Sequence, residues 1–244
     1  MAIKFIDIEF SPSNGAKMNL VSAKGVFDPN KTTELLINAV KKTITKPKKI
    51  LDLGCGTGVV GLSLWLEGLV KEPIFASDLS EPSMSCSQEN FRRYGSKADV
   101  RCGALFEPWD DEKFDVIIDD ISGISQEIAP ISPWFGGVPC ETGRDGTDLV
   151  MDILGNASKH LLEDGYFFFP VLSLSNIDAI LMKVKENFNT IELLERQEWP
   201  LPSELLAHMP LLKKLSKEGS IKLDERFGMV LCYTEVYLAR NPIN

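Results

Sequence analysis

Ile50-Leu51-Asp52-Leu53-Gly54-Cys55-Gly56-Thr57-Gly58, followed by Val59-Val60-Gly61-Leu62-Ser63-Leu64-Trp65-Leu66, is an apolar run, three alternating glycines and a second apolar run. The first run has the length of a buried strand and the second that of a helix. Glycines at a strand-to-helix turn let the backbone take positive φ and let a ligand lie directly against it. The helix that follows begins with N–H groups that have no partner within the helix. Together these features predict a nucleotide-sized binding loop at Gly54, Cys55, Gly56 and Gly58.

Two cofactor classes use such a loop. Gly56 to Gly61 fits the dinucleotide pattern G-x-G-x-x-G, with Asp78 at the distance of a ribose-binding acid. Asp52 separates the two classes. Placed at the mouth of the pocket, its carboxylate repels a pyrophosphate and attracts the ammonium and sulfonium of S-adenosylmethionine (SAM). This charge argument selects SAM and leaves an NAD(P)-dependent oxidoreductase as the alternative.

Ile50 to Gly58 resembles motif I of the Rossmann-like SAM-dependent methyltransferases (class I). Ala76-Ser77-Asp78-Leu79-Ser80-Glu81-Pro82, with Glu89-Asn90, is similar to the second-strand motif of their small-domain branch. That branch includes release-factor glutamine methyltransferases and rRNA guanine-N2 methyltransferases. Gly25-Val26-Phe27-Asp28-Pro29, Gly103-Ala104-Leu105-Phe106-Glu107-Pro108, Phe114 to Ile118 and Gly143-Arg144-Asp145-Gly146 extend the likeness, which runs from about Gly25 to Ser175. The resemblance implies SAM as methyl donor, with S-adenosylhomocysteine as product. It also implies that Asp78 takes the ribose hydroxyls, that Leu79 packs on the adenine, and that Ala104 and Leu105 border it. The family usually carries an acid where Ala104 stands. After the fourth strand its release-factor and adenine enzymes carry Asn-Pro-Pro-Tyr, where this chain has Asp120-Ile121-Ser122-Gly123. Asp120 therefore accepts hydrogen bonds where an asparagine would both donate and accept.

These residues define an expected site. Asp120, rather than its neighbour Asp119, is the expected catalytic group, because adjacent strand residues face opposite sides. It also borders the cofactor. Phe27, Ser122, Trp134 and Phe135, with Ser125, are expected to form the acceptor pocket. The missing motif and Ala104 also leave open a non-catalytic SAM-binding scaffold.

Composition sets further bounds. A chain of 244 residues with 44% hydrophobic and 25% charged residues suits one soluble domain. Five scattered cysteines, none in C-x-x-C, and two histidines predict reduced thiols, a cytoplasmic setting and no metal centre. The start of the chain does not read as a signal peptide, and no apolar run reaches the length of a membrane span. The net charge of −9 disfavours an extended nucleic acid and favours a protein side chain or small molecule as acceptor.

Alternation of strands and helices predicts an α/β fold: a Rossmann-like, seven-stranded, mostly parallel sheet with helices on both faces and an antiparallel last strand. The predicted strands are Ile50–Leu53, Ile74–Asp78, Asp99–Cys102, Val116–Asp120 and Tyr166–Val171. The predicted helices between them are Val59–Gly68, Glu81–Tyr94 and Asp145–Leu161. Residues 1–30 read as an N-terminal arm of one strand, Ile3 to Phe10, and a polar connection. Residues 31–244 read as a single domain with a helical insert near 203–218.

Overall fold

The structure, a computed structural model, describes residues 3–13, 15–121, 123–135 and 142–243. Its elements are β1 (Phe5–Phe10), β2 (Met18–Ala23), α1 (Lys31–Thr43), β3 (Ile50–Leu53), α2 (Val59–Leu66), β4 (Ile74–Asp78), α3 (Glu81–Tyr94) and β5 (Ala98–Cys102). They continue with β6 (Phe114–Asp119), α4 (Asp148–Ala157), β7 (Leu161–Leu172), α5 (Ile177–Asn187) and β8 (Phe188–Pro200). Last come α6 (Ser203–Leu206), α7 (Met209–Lys217), β9 (Asp224–Arg226) and β10 (Met229–Pro242). Among the described residues no helix is long and apolar enough to cross a membrane.

The main sheet runs β5-β4-β3-β6-β7-β10-β8. The first five strands are parallel, and β10 is antiparallel to both of its neighbours. An eighth strand, the short β9, pairs with the start of β10 beyond the seven expected. The chain winds outward from β3 through β4 to β5, then returns to β6 on the other side of β3. The order thus reverses between β3 and β6, and an open α/β sheet leaves its crevice at that point, beyond the strand carboxyl ends. Leu53 and Asp119 are paired there.

Strand alternation sorts the core into two layers. Ile50, Val116, Ile118 and Phe168 pack with α1, α2 and Phe91 of α3 on one face. Leu51, Leu53, Ile117, Phe167 and Phe169 pack with α4 and α5 on the other. Trp109 is fully buried beside this second layer, its Nε1 donating to Ser77 Oγ at 2.9 Å while Arg101 stacks on its ring at 4.1 Å. Each such large side chain contributes about 2–3 kcal/mol through burial.

Two expected elements are corrected. Residues 18–23 form strand β2 rather than polar connection, and β1 pairs with it in a separate hairpin. Met18, Leu20 and Val21 are buried, while Asn19 points outward. The hairpin is fastened by Asn90 of α3, whose Oδ1 accepts from Val21 N at 2.7 Å. Asn90 Nδ2 donates to Val21 O and to Thr57 O, each at 2.9 Å. One buried amide therefore ties the hairpin to the glycine turn. The predicted helix Asp145–Leu161 is shorter, because Gly146 has positive φ just before it and Leu161 already belongs to β7. Lysines on the approach to β3 are held in ion pairs, Lys41 with Glu67, Lys42 with Glu195 and Lys49 with Glu112.

Candidate active site

A cleft of about 610 Å³ lies over the carboxyl ends of β3, β4 and β6, within the usual range for small-ligand sites. The glycine turn forms its floor. Gly54, Gly56 and Gly58 all have positive φ. The turn is held from below by Cys55 N donating to Ser77 O at 2.9 Å. Asp78, at the end of β4, accepts from Gly56 N at 3.0 Å and from Ser80 N at 2.8 Å. Cys55, Leu79, Ala104 and Leu105 line the same cleft. Leu79 is 72% exposed there. Leu105 takes φ of 49°, a conformation that costs a non-glycine residue about 1 kcal/mol or more. Ala104 donates its backbone N–H to Glu107 Oε2 at 3.3 Å, so a carboxylate reaches this position from three residues downstream.

Asp120 closes the other side. Its Oδ2 accepts from Thr33 Oγ1 at 2.7 Å. Thr33 belongs to a capping box at the start of α1, where Asn30 Oδ1 accepts from Thr32 and Thr33 N–H groups and Thr33 Oγ1 accepts from Asn30 N. The cap thus fixes the hydroxyl that orients the carboxylate. Burial pushes Asp120 up to about 7, against the opposing pull of the Thr33 bond. Asp119 faces away from the cleft. It is buried, with Oδ1 accepting from Ile121 N at 2.8 Å, and burial raises it well above the usual carboxylate range.

Asp52 does not stand at the mouth of the pocket, which corrects the sequence expectation. Strand alternation turns it, with Ile50, toward α2 beneath the glycine loop. It is 0% exposed and does not line the cleft. Its Oδ2 accepts from Gly61 N at 2.9 Å, while Oδ1 is buried without a partner. Burial pushes Asp52 up to about 8; the Gly61 bond lowers it, and the charges of Asp120 and Asp78 raise it further. A carboxyl raised in the folded state stabilises fully below its unfolded value, and that stabilisation is lost as pH climbs through the folded value. Between pH 4 and 8 Asp52 therefore makes stability fall with pH, by up to about 1.4 kcal/mol per unit. In urea unfolding at pH 5 to 8, Asp52→Asn should flatten this slope by about one proton and leave the parts due to Asp119 and Asp120. An unchanged slope would contradict the burial argument.

The expected acceptor residues divide. Phe27 and Phe135 both line the cleft, their ring centroids 5.5 Å apart and tilted by 51°. Trp134 is 37% exposed and is not a lining residue, because the segment before it packs inward on Ile128 and Ala129 and leaves the indole on the outside. Ser125 is also removed from the pocket: its buried Oγ donates to Arg144 O at 2.6 Å. Ser122 and residues 136–141 lie outside the described residues. Pro29, Thr33, Ile121, Thr142 and Leu149 line the cleft without having been expected. For Thr33 the sequence did hold a signal, the Asn30-x-x-Thr33 cap ahead of an apolar helical stripe.

Residues 17–120 match the methyltransferase small domain family. The likeness to curated relatives extends beyond this domain. A release factor glutamine methyltransferase of Geobacter sulfurreducens is 24% identical over 172 residues, 67% of this chain and 59% of that protein. A ribosomal protein L11 methyltransferase of Lactobacillus johnsonii is 23% identical over 180 residues, 73% of this chain and 48% of the relative. The chain thus spans about half the length of the curated relatives it matches. Among solved structures, the T. thermophilus 16S rRNA N2 G1207 methyltransferase in complex with AdoMet and guanosine superposes with a TM-score of 0.64 at 16% identity. That superposition covers 99% of this chain and 51% of the other. At that identity it establishes the Rossmann-like fold alone.

Proposed function

We propose that the chain is a SAM-dependent methyltransferase acting on a nitrogen or oxygen nucleophile of a protein side chain or small molecule, working in the cytoplasm. The observation that carries this reading is the charge of the cleft. Among the described lining residues, Asp78 and Asp120 are the only charged groups, and neither lysine, arginine nor histidine is present. Such a lining favours a ligand bearing positive charge and disfavours a diphosphate. It thereby counts against the dinucleotide alternative and takes over the role expected of Asp52.

The residues fit the donor in a second respect. Thr57 lines the cleft, and its Oγ1 is buried without a hydrogen-bond partner, an arrangement that a bound polar group would satisfy. When bound, SAM supplies a methyl group on a sulfonium that needs no further activation. Asp78 would hold the ribose hydroxyls, Leu79, Ala104 and Leu105 would border the adenine, and the glycine turn would carry the ligand against bare backbone. Asp120, oriented by Thr33, would accept a hydrogen bond or a proton from the nucleophile and aim its lone pair. The aromatic wall of Phe27 and Phe135 would exclude water from that end.

Calorimetry with SAM and S-adenosylhomocysteine tests this reading. Binding in the micromolar range is expected, weakened about 10- to 100-fold by Asp78→Ala through loss of charge-assisted hydrogen bonds. NAD binding without a response to SAM would reverse the assignment. SAM binding with no labelled methyl transfer into cell extract would instead favour the scaffold, a reading motivated by Asp120-Ile121-Ser122-Gly123 in place of Asn-Pro-Pro-Tyr.

A further inference from the structure

We infer that the nucleophile received beside Asp120 belongs to an amine that arrives as a cation. This rests on the methyl-transfer reading and narrows it to one acceptor chemistry. Three features of the cleft support it.

The first is an uncompensated charge. Thr33 Oγ1 donates to Asp120 Oδ2, yet among the described residues no cation forms an ion pair with this carboxylate. Of the cations that adjoin the lining segments in sequence, Lys31 pairs with Glu34, Arg101 with Asp99 and Arg144 with Glu127 and Glu218, while Lys24 is exposed and forms no ion pair with Asp120. Residues 136–141 read Gly-Gly-Val-Pro-Cys-Glu and contain no lysine, arginine or histidine to supply one. Asp120 is half-buried at the edge of the cleft, and a partly desolvated carboxylate without a countercharge attracts a cationic ligand. The second feature is the wall. Phe27 and Phe135 pair at 5.5 Å in the same cleft, and aromatic faces attract an ammonium group. Phe27 and Pro29 lead directly into Asn30 and Thr33, so one stretch of backbone carries both the wall and the Asp120 anchor.

The third feature is hydrogen-bond polarity. A carboxylate offers acceptors only, which suits the several N–H donors of an amine. A planar amide asks its site for a donor as well as an acceptor, and an anionic acceptor would be repelled. Before it can be methylated an ammonium must shed one proton. Asp120 takes that proton, becoming a neutral carboxyl and leaving the nitrogen lone pair free. For a lysine-like amine this transfer to an ordinary aspartate is uphill by about 6–7 pKa units. With Asp120 pushed up to about 7, the gap narrows to about 3.

The test measures binding to the protein saturated with S-adenosylhomocysteine, by ligand-observed NMR at pH 7. The probes are n-butylamine, butyramide, butanol and butyrate, with N-acetyl-lysine amide to separate a protein side chain from a free amine. Binding of n-butylamine about tenfold tighter than butyramide, butanol and butyrate is expected, and Asp120→Asn should erase the preference. Phe135→Ala should weaken the amine about three- to tenfold while leaving butanol nearly unaffected. Tighter binding of N-acetyl-lysine amide than of n-butylamine would assign the acceptor to a protein, and the reverse to a small amine; either supports the inference. Equal or tighter binding of the amide, alcohol or acid would overturn it. Calorimetry of S-adenosylhomocysteine keeps the two levels apart: its failure to bind sinks the methyltransferase reading, whereas normal binding without amine preference sinks only this inference.

Discussion

Gly54→Ala is expected to destabilise the protein by about 3 kcal/mol, lowering the midpoint of thermal unfolding by about 6–12 °C for a chain of this size. Two effects add. Gly54 has φ of +67°, a conformation that costs an alanine about 1–2 kcal/mol. A Cβ at this position would also collide with Ile121 Cγ1 and stand 2.5 Å from its Cδ1. Ile121 is β-branched and follows Asp120, so its backbone must shift along with its side chain, at about 1–3 kcal/mol. Gly56→Ala provides the contrast. Its φ is +51°, but the nearest atom to an added Cβ is Phe27 O at 3.7 Å, so only the conformational cost applies, about 1–2 kcal/mol. That methyl would stand on the floor of the cleft and weaken ligand binding instead. Calorimetric unfolding of the two variants separates these effects. A Gly54→Ala protein as stable as the parent would show that the β3 and β6 ends are not pressed together as described.

What the sequence disclosed, and what it withheld, follows from the range of the interactions concerned. The β3–glycine–α2 unit was legible because apolar runs, alternating glycines and helix propensity act within about twenty residues. The parallel order followed from strands and helices alternating along the chain. The direction of Asp52 departs from what its nearness to the glycines suggests. The alternation rule that separates Asp119 from Asp120 also places Asp52 opposite Leu51 and Leu53, under the loop. The strand β2 was hidden because its stabilising partner, Asn90, lies 69 residues away from Val21. Thr33 was readable as a cap, but its bond to Asp120 spans 87 residues, and nothing local announces it. Trp134 and Phe135 are neighbours in sequence, and only the packing of the loop decides which ring enters the cleft.

Asp120→Asn is expected to leave folding intact and to reduce methyl transfer about 10²–10³-fold, the usual range for removal of a positioned general base. The substitution preserves shape, and an asparagine oxygen can still accept from Thr33 Oγ1, now at 2.7 Å from the carboxylate. It removes the group that can take up a proton. The pH profile carries the sharper signature. With Asp120 pushed up to about 7, the active carboxylate form is depleted below that pH, so kcat/KM of the parent should rise about tenfold per unit up to pH 7 and then level off. Asp120→Asn should lose that rising limb. Thr33→Val retains the carboxylate but deletes the hydroxyl that lowers its proton affinity, so the limb should persist and move to higher pH, with a loss of about tenfold at pH 7. A purely structural role for Asp120 predicts a lowered rate in both variants with the limb unmoved. The position of the limb in Thr33→Val therefore decides whether this carboxylate handles the proton or only shapes the cleft.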